Sequence, residues 1–163
     1  MGVAILSQLP VLSVRSVALP NPGWRIEVLN KSFSSHPKGA LIANIEGPAG
    51  RFSLACIHLL PVKLFGLRED SSVALDYLRL AMAELGNQAP SIDIVAGDFN
   101  NSHRVEVMSN LGFSSSTFGR STRVSGESHD DIMYGSRFHS SMMNIRHSES
   151  DHHLVFGTLL FDG

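Results

Sequence analysis

The stretch that most constrains how this 163-residue chain can fold is Ser91-Ile92-Asp93-Ile94-Val95-Ala96-Gly97-Asp98-Phe99-Asn100. An apolar run rich in Ile and Val, preceded by Pro90 and followed by polar residues, predicts a buried strand. Residues i and i+2 of an extended chain share a face, so Asp98 and Asn100 are expected to emerge together at its C-terminal end. That end of a strand is where ligand chemistry usually sits in α/β sheets. A carboxylate there can take a proton or hold a hard cation, and a carboxamide NH₂ can hold an oxyanion. A strand that merely closes in an Asx turn would carry the same residues. The rest of the chain has to decide between the two.

Leu67 to Leu85 reads as a helix. Ala74, Leu78, Ala81 and Leu85 recur at helical spacing, Asp70, Ser71 or Ser72 can cap the start, and Gly86 suits the stop. Upstream, Gly2 to Leu6, Val11 to Leu19 and Trp24 to Leu29 read as strands, and Ser32 to Lys38 as a polar loop. Ala40 to Glu46 and Arg51 to Leu60 flank Gly47-Pro48-Ala49-Gly50 as a hairpin. Downstream, His103 to Asn110 suits a short helix, and Ser114 to Ser128 is a Ser/Thr/Gly-rich loop carrying Arg120 and Arg123, placed to touch a substrate. Strands are expected through Asp130-Asp131-Ile132-Met133-Tyr134, Met142 to Arg146 and Leu154 to Phe161. Strand, helix and strand thus alternate as in a layered α/β sandwich. Length and the absence of repeats or linkers predict one domain over residues 1–163.

Composition narrows the function classes. A formal charge of −2 gives no global basic field of the kind a tight nonspecific nucleic-acid binder shows, so any such contact must be local. The arginines at 104, 120, 123, 137 and 146 are candidates for a local phosphate-binding patch. Cys56 is the single cysteine, which excludes an intrachain disulfide and fits a reducing compartment, here taken as the cytoplasm. No segment reaches transmembrane length and no basic region precedes the first apolar run, so neither a transmembrane segment nor a signal peptide is expected. The 8 histidines form no His-Glu-x-x-His pattern, which argues against a zinc hydrolase, and no Gly-x-Ser-x-Gly turn supports a serine hydrolase.

Polar residues interrupt the strand-like segments at His58, at Asp98 with Asn100, at Asp130 with Asp131, and at Asp151 with His152. Together they make a kit for attacking a phosphate ester: carboxylates for Mg²⁺, a carboxylate to orient a histidine, and donors for the phosphoryl oxygens. The order and context of Cys56-Ile-His-Leu59, Ile94-Val-Ala-Gly-Asp-Phe-Asn100, Asp130-Asp-Ile-Met133 and Ser150-Asp-His152, with Gly2-Val-Ala-Ile-Leu-Ser7 before and Leu154 to Leu159 after, resembles the endonuclease/exonuclease/phosphatase superfamily, whose fold is that of deoxyribonuclease I.

The resemblance implies a four-layered sandwich of two packed mixed β-sheets flanked by helices. It implies a Mg²⁺- or Mn²⁺-dependent hydrolase of phosphate esters, with nucleic acid or a small or lipid phosphate as substrate. In that scheme Asp98 positions or activates the attacking water, Asn100 and His58 contact the phosphate, and Asp151 and Asp98 sit at the metal. His152 faces the phosphate, oriented by Asp130. Alternation along a strand turns Asp131 and His153 the other way. The family also carries an N-terminal strand with an Asn and a later one ending in a Gln-Glu pair, whose Glu is the main metal ligand. Neither has a counterpart here, since Glu27 and Glu46 match no ligand position. The chain is therefore expected to represent the C-terminal two-thirds of the family fold. Three alternatives stay open: a truncated form, a site completed by another segment or by self-association, or a noncatalytic descendant that binds a phosphate ligand or a protein partner.

Overall fold

The computed structural model describes residues 2–88 and 91–162; Pro90, the expected boundary before the central strand, lies outside them. The strands run β1 (Val11–Ala18), β2 (Arg25–Val28), β3 (Lys31–Ser34), β4 (Gly39–Gly47) and β5 (Gly50–His58). A 3-10 turn over Val62–Phe65 and helix α1 (Ser72–Gln88) follow, then β6 (Ile94–Asp98), α2 (Arg104–Ser109), β7 (Ser114–Ser115), β8 (Asp130–Tyr134), β9 (Phe138–Arg146) and β10 (Leu154–Phe161). The main sheet has the order β1-β4-β5-β6-β8-β7, with β5 and β6 parallel and the other neighbours antiparallel. β9 pairs with β10, and β2 with β3, as separate two-stranded sheets.

Alternation along the central strands builds two cores, one on each face of the main sheet. Ala55, Ile57, Val95 and Met133 pack with Ala74, Leu78, Ala81 and Leu85 of α1 and Val107 and Met108 of α2. Their chain neighbours Leu54, Ile94, Ile132 and Tyr134 point the other way, onto Phe138, Leu159 and Phe161 of the β9–β10 sheet. The fold is thus mixed α/β, with helices over one face of a six-stranded sheet and a smaller sheet over the other. Ser71 starts α1 as expected: its Oγ accepts from the Ala74 N–H at 3.3 Å.

Three local expectations are corrected. Residues 2–6 form no strand: they have no pairing partner, and Leu6 is 97% exposed. Apolar character without a ladder to join does not make a strand. The polar segment Ser32 to Lys38 is not all loop, because Lys31–Ser34 pairs with Arg25–Val28. Leu29 and Asn30, at φ 51° and 61°, supply the two left-handed residues that a tight hairpin turn needs. Gly86 does not stop α1, which continues to Gln88 because the buried Met82 and Leu85 anchor its last turns.

Candidate active site

Register alone lines up the first three side chains of the site. His58 pairs with Asp98 across the parallel β5–β6 ladder, and Asp98 pairs with Asp130 across β6–β8. Directly opposed residues share a face, so the three form one row at the end of the sheet, on the face covered by β9–β10. The approach of β5 and β6 there depends on Gly97. At φ 138°, any Cβ it carried would run into the Ile57 carbonyl. The fourth residue, His152, comes from the turn before β10, tied to the Ser114–Ser128 loop by a bridge to Arg123.

The geometry is compact. Asp98 Oδ2 lies 3.7 Å from His58 Nε2 and 3.9 Å from His152 Nε2. Asp130 Oδ2 is 2.8 Å from His152 Nδ1. An ionised carboxylate only accepts, so that contact places the proton on Nδ1 and presents Nε2 to the space beside Asp98. Burial pushes the His58 pKa below its ordinary value and Lys38 adds to this, while Asp98 opposes both. His58 therefore stays neutral at neutral pH.

Asn100 departs from its expected place. β6 ends at Asp98, and Asn100 sits at φ 49°, a left-handed conformation that Asn tolerates. Its backbone N–H donates to Asp98 Oδ1 at 2.8 Å and its Nδ2 donates to the Leu59 carbonyl at 2.9 Å. The residue is buried, and it braces Asp98 and the end of β5 rather than standing beside Asp98 on a strand face. The Asx turn and the Asp98 carboxylate of the cluster are one feature.

Asp151 lies at the rim. Its exposed carboxylate pairs with the Arg123 guanidinium at 2.8 Å and lies 3.7 Å from His152 Nε2. Among the described residues the group able to hold a metal ion is Asp98, Asp130 and His152, whose ligand atoms lie within 4.8 Å of one another. Two carboxylates and an imidazole fit a divalent cation, so this set can coordinate one. Asp151 is not brought into that group.

Arg104, Arg120, Arg123 and Arg137 do not gather into one patch. Arg104 is fully buried, its Nε 3.0 Å from Asp131 Oδ2 and its terminal nitrogens on Thr117, Ser128 and the Asp130 carbonyl. Arg137 pairs with Asp93 at 2.9 Å and donates to the Arg51 carbonyl. Arg120 donates to the carbonyls of Thr117 and Met143. Arg123 reaches the site through Asp151, with its other terminal nitrogen 3.4 Å from His129 Nδ1.

Alternation correctly turns Asp131 and His153 from the site, but neither is idle. Asp131 faces Arg104 and accepts from Ser115, Ser116 and Thr117. The His153 ring packs edge-on against His147 at 4.3 Å. Sequence reasoning missed a second pair, Glu69 and His129, 2.7 Å apart and buried beneath Arg123. No spacing in the sequence announces it, since the partners are 60 positions apart.

No family model and no curated protein matches the chain. Solved structures do. A functionally unknown conserved protein from Enterococcus faecalis V583 superposes with a TM-score of 0.66 at 14% identity, over 94% of this chain and 67% of that one. A mannosyl-6-phosphatase from Bacteroides thetaiotaomicron VPI-5482 gives 0.61 at 15% identity, over 94% and 67%. An endonuclease/exonuclease/phosphatase family protein from Bacteroides thetaiotaomicron gives 0.61 at 15%, over 94% and 66%. The chain spans about two thirds of the length of these structures and has the endonuclease/exonuclease/phosphatase, deoxyribonuclease-I-like fold.

Proposed function

We propose that this chain is a divalent-metal-dependent hydrolase of phosphate esters. The observation that carries the reading is the single cluster in which Asp130 holds His152 and Asp98 stands between two imidazoles. In this reading a phosphate group lies beside His152, whose ring Asp130 fixes in tautomer and direction so that the Nε2 lone pair is left for the cation. Neutral His58 donates or accepts one hydrogen bond at the opposite end. Asp98, its carboxylate pinned by the Asn100 N–H, takes the proton of a water placed between it and the phosphorus. Arg123 contributes positive charge at the rim, while Arg120 has no part in this arrangement.

Asp98, Asp130 and His152 would hold the cation, with Mg²⁺ or Mn²⁺ as the candidates and Asp151 as an outer carboxylate. When bound, it would offset the negative charge of the phosphoryl oxygens. The chain is read as one domain over residues 1–163, and its lone Cys56 is what supports a cytoplasmic setting. The alternative of a noncatalytic phosphate-binding protein makes a different forecast, binding without turnover.

The test is hydrolysis of nitrophenyl phosphate mono- and diesters with Mg²⁺, with Mn²⁺ and with chelator. Asp98→Asn and His152→Asn are expected to lower kcat by about 10²–10⁴-fold with circular dichroism unchanged. Phosphate binding with no turnover under any of these conditions would assign the noncatalytic alternative.

A further inference from the structure

His58 faces two environments. One side meets Asp98; the other lines an apolar groove of about 570 Å³. Its walls are Ile26, Val28 and Phe33 of the β2–β3 hairpin and Pro61, Leu64 and Phe65 around the 3-10 turn. Phe33 and Leu64 leave 52% and 58% of their surface in water. The groove is preformed: Phe65 packs on Trp24 at 5.8 Å, Trp24 packs on Tyr77 at 5.3 Å, and the Tyr77 hydroxyl accepts from the Leu60 N–H at 3.2 Å. The polar members of its lining are Ser34, His36, Lys38 and His58, and Lys38 lies near enough to His58 for its charge to act on that ring.

A concave site of this volume, with mostly apolar walls and a lysine and two imidazoles in its lining, is the complement of a small amphiphilic anion. We propose that the groove is the subsite for the apolar alcohol portion of a phosphate ester, with its phosphate at His58, Asp98 and His152. The inference rests on the phosphate-ester reading of that cluster and adds its substrate class. Hydrolysis there forms a bond from the water oxygen to phosphorus and breaks the phosphorus–oxygen bond to the apolar alcohol. One water proton ends on the departing alcohol oxygen and the other remains on inorganic phosphate. Lys38 supplies charge at the junction, and Phe33 and Leu64 set the preference for chain or ring.

Calorimetric titration of the full chain with methyl phosphate and hexyl phosphate tests this, followed by hydrolysis of the same two esters. Each buried methylene adds about fourfold in affinity, so even partial burial of the longer chain is expected to favour hexyl phosphate by about 30-fold. Phe33→Ser and Leu64→Ser, both at exposed positions, are each expected to cut that ratio about fivefold or more while leaving methyl phosphate binding unchanged. Equal binding of the two esters overturns the proposal, as does a ratio that neither substitution alters. Attachment to phosphatidylglycerol vesicles that hexyl phosphate does not displace also overturns it, and assigns the groove to a lipid surface. Hexyl preference without turnover of any ester would keep the subsite and remove the hydrolytic reading. Hydrolysis of both esters with equal kcat/KM and equal affinity would do the reverse.

Discussion

Asp130 and Asp131 are chain neighbours with opposite duties. The first turns toward His152; the second turns under the sheet to Arg104. Removing Asp131 leaves a fully buried guanidinium without its counter-charge and frees the hydroxyls of Ser115, Ser116 and Thr117. Asp131→Ala is therefore expected to cost about 3–5 kcal/mol, read as a lowered midpoint in urea unfolding. Glu69 gives a pH prediction of the same kind. Burial alone would raise its pKa, but hydrogen bonds from His129, the Ser102 N–H and Lys63 outweigh that and hold it well below the carboxylate range. Because the folded pKa is depressed, this stabilisation is present above the unfolded value near 4.3 and fades as pH falls below it. Thermal unfolding between pH 6 and pH 3 should show that loss, and Glu69→Gln should flatten it. Alternation made the opposite facing of the two aspartates legible in the sequence. The partner of Asp131 was not legible, because a buried Arg104 reads like any surface arginine until the fold brings it beneath β8.

Among elements, β6 concentrates what the sequence can and cannot say. Its apolar run and the Gly-Asp-Phe-Asn close made its place and its polar end legible, because a buried strand has few other ways to be written. The turn after Asp98 was hidden, since the left-handed conformation of Asn100 is a property of backbone and neighbours rather than of spacing. Likewise β3 is polar enough to pass for a loop, while residues 2–6 are apolar enough to pass for a strand that never finds a partner. Two glycines separate these effects experimentally. Gly97→Ala forces a methyl group onto the Ile57 backbone at a positive φ, with an expected strain of about 1–3 kcal/mol and a displaced His58–Asp98 register. Gly86, inside α1 with open space around it, should gain up to about 1 kcal/mol as Ala. Thermal unfolding of both variants checks the pair, and activity should fall only in the first.

At the scale of the molecule, the two sheets are joined by an aromatic run, Phe52 to Phe138 at 5.8 Å and Phe138 to Phe161 at 5.2 Å, each tilted toward edge-on. These rings fasten the β9–β10 sheet over the face that carries Asp98 and Asp130. Phe138→Ala is expected to cost about 3–5 kcal/mol and to loosen the second sheet before the first. Hydrogen exchange should show β9 and β10 losing protection while β4 and β5 keep theirs. The second sheet was foreseen from family resemblance rather than from pattern, because β9 and β10 alternate weakly and their pairing is a long-range fact. The same arrangement makes the site conditional on how the second sheet docks. The cluster draws its members from positions 58, 98, 130 and 152, so no single segment of the chain carries it. The ladders of the main sheet align His58, Asp98 and Asp130 by themselves, whereas His152 stands on the turn that leads into β10. Any slackening of that smaller sheet therefore withdraws one imidazole while the other three groups keep their row.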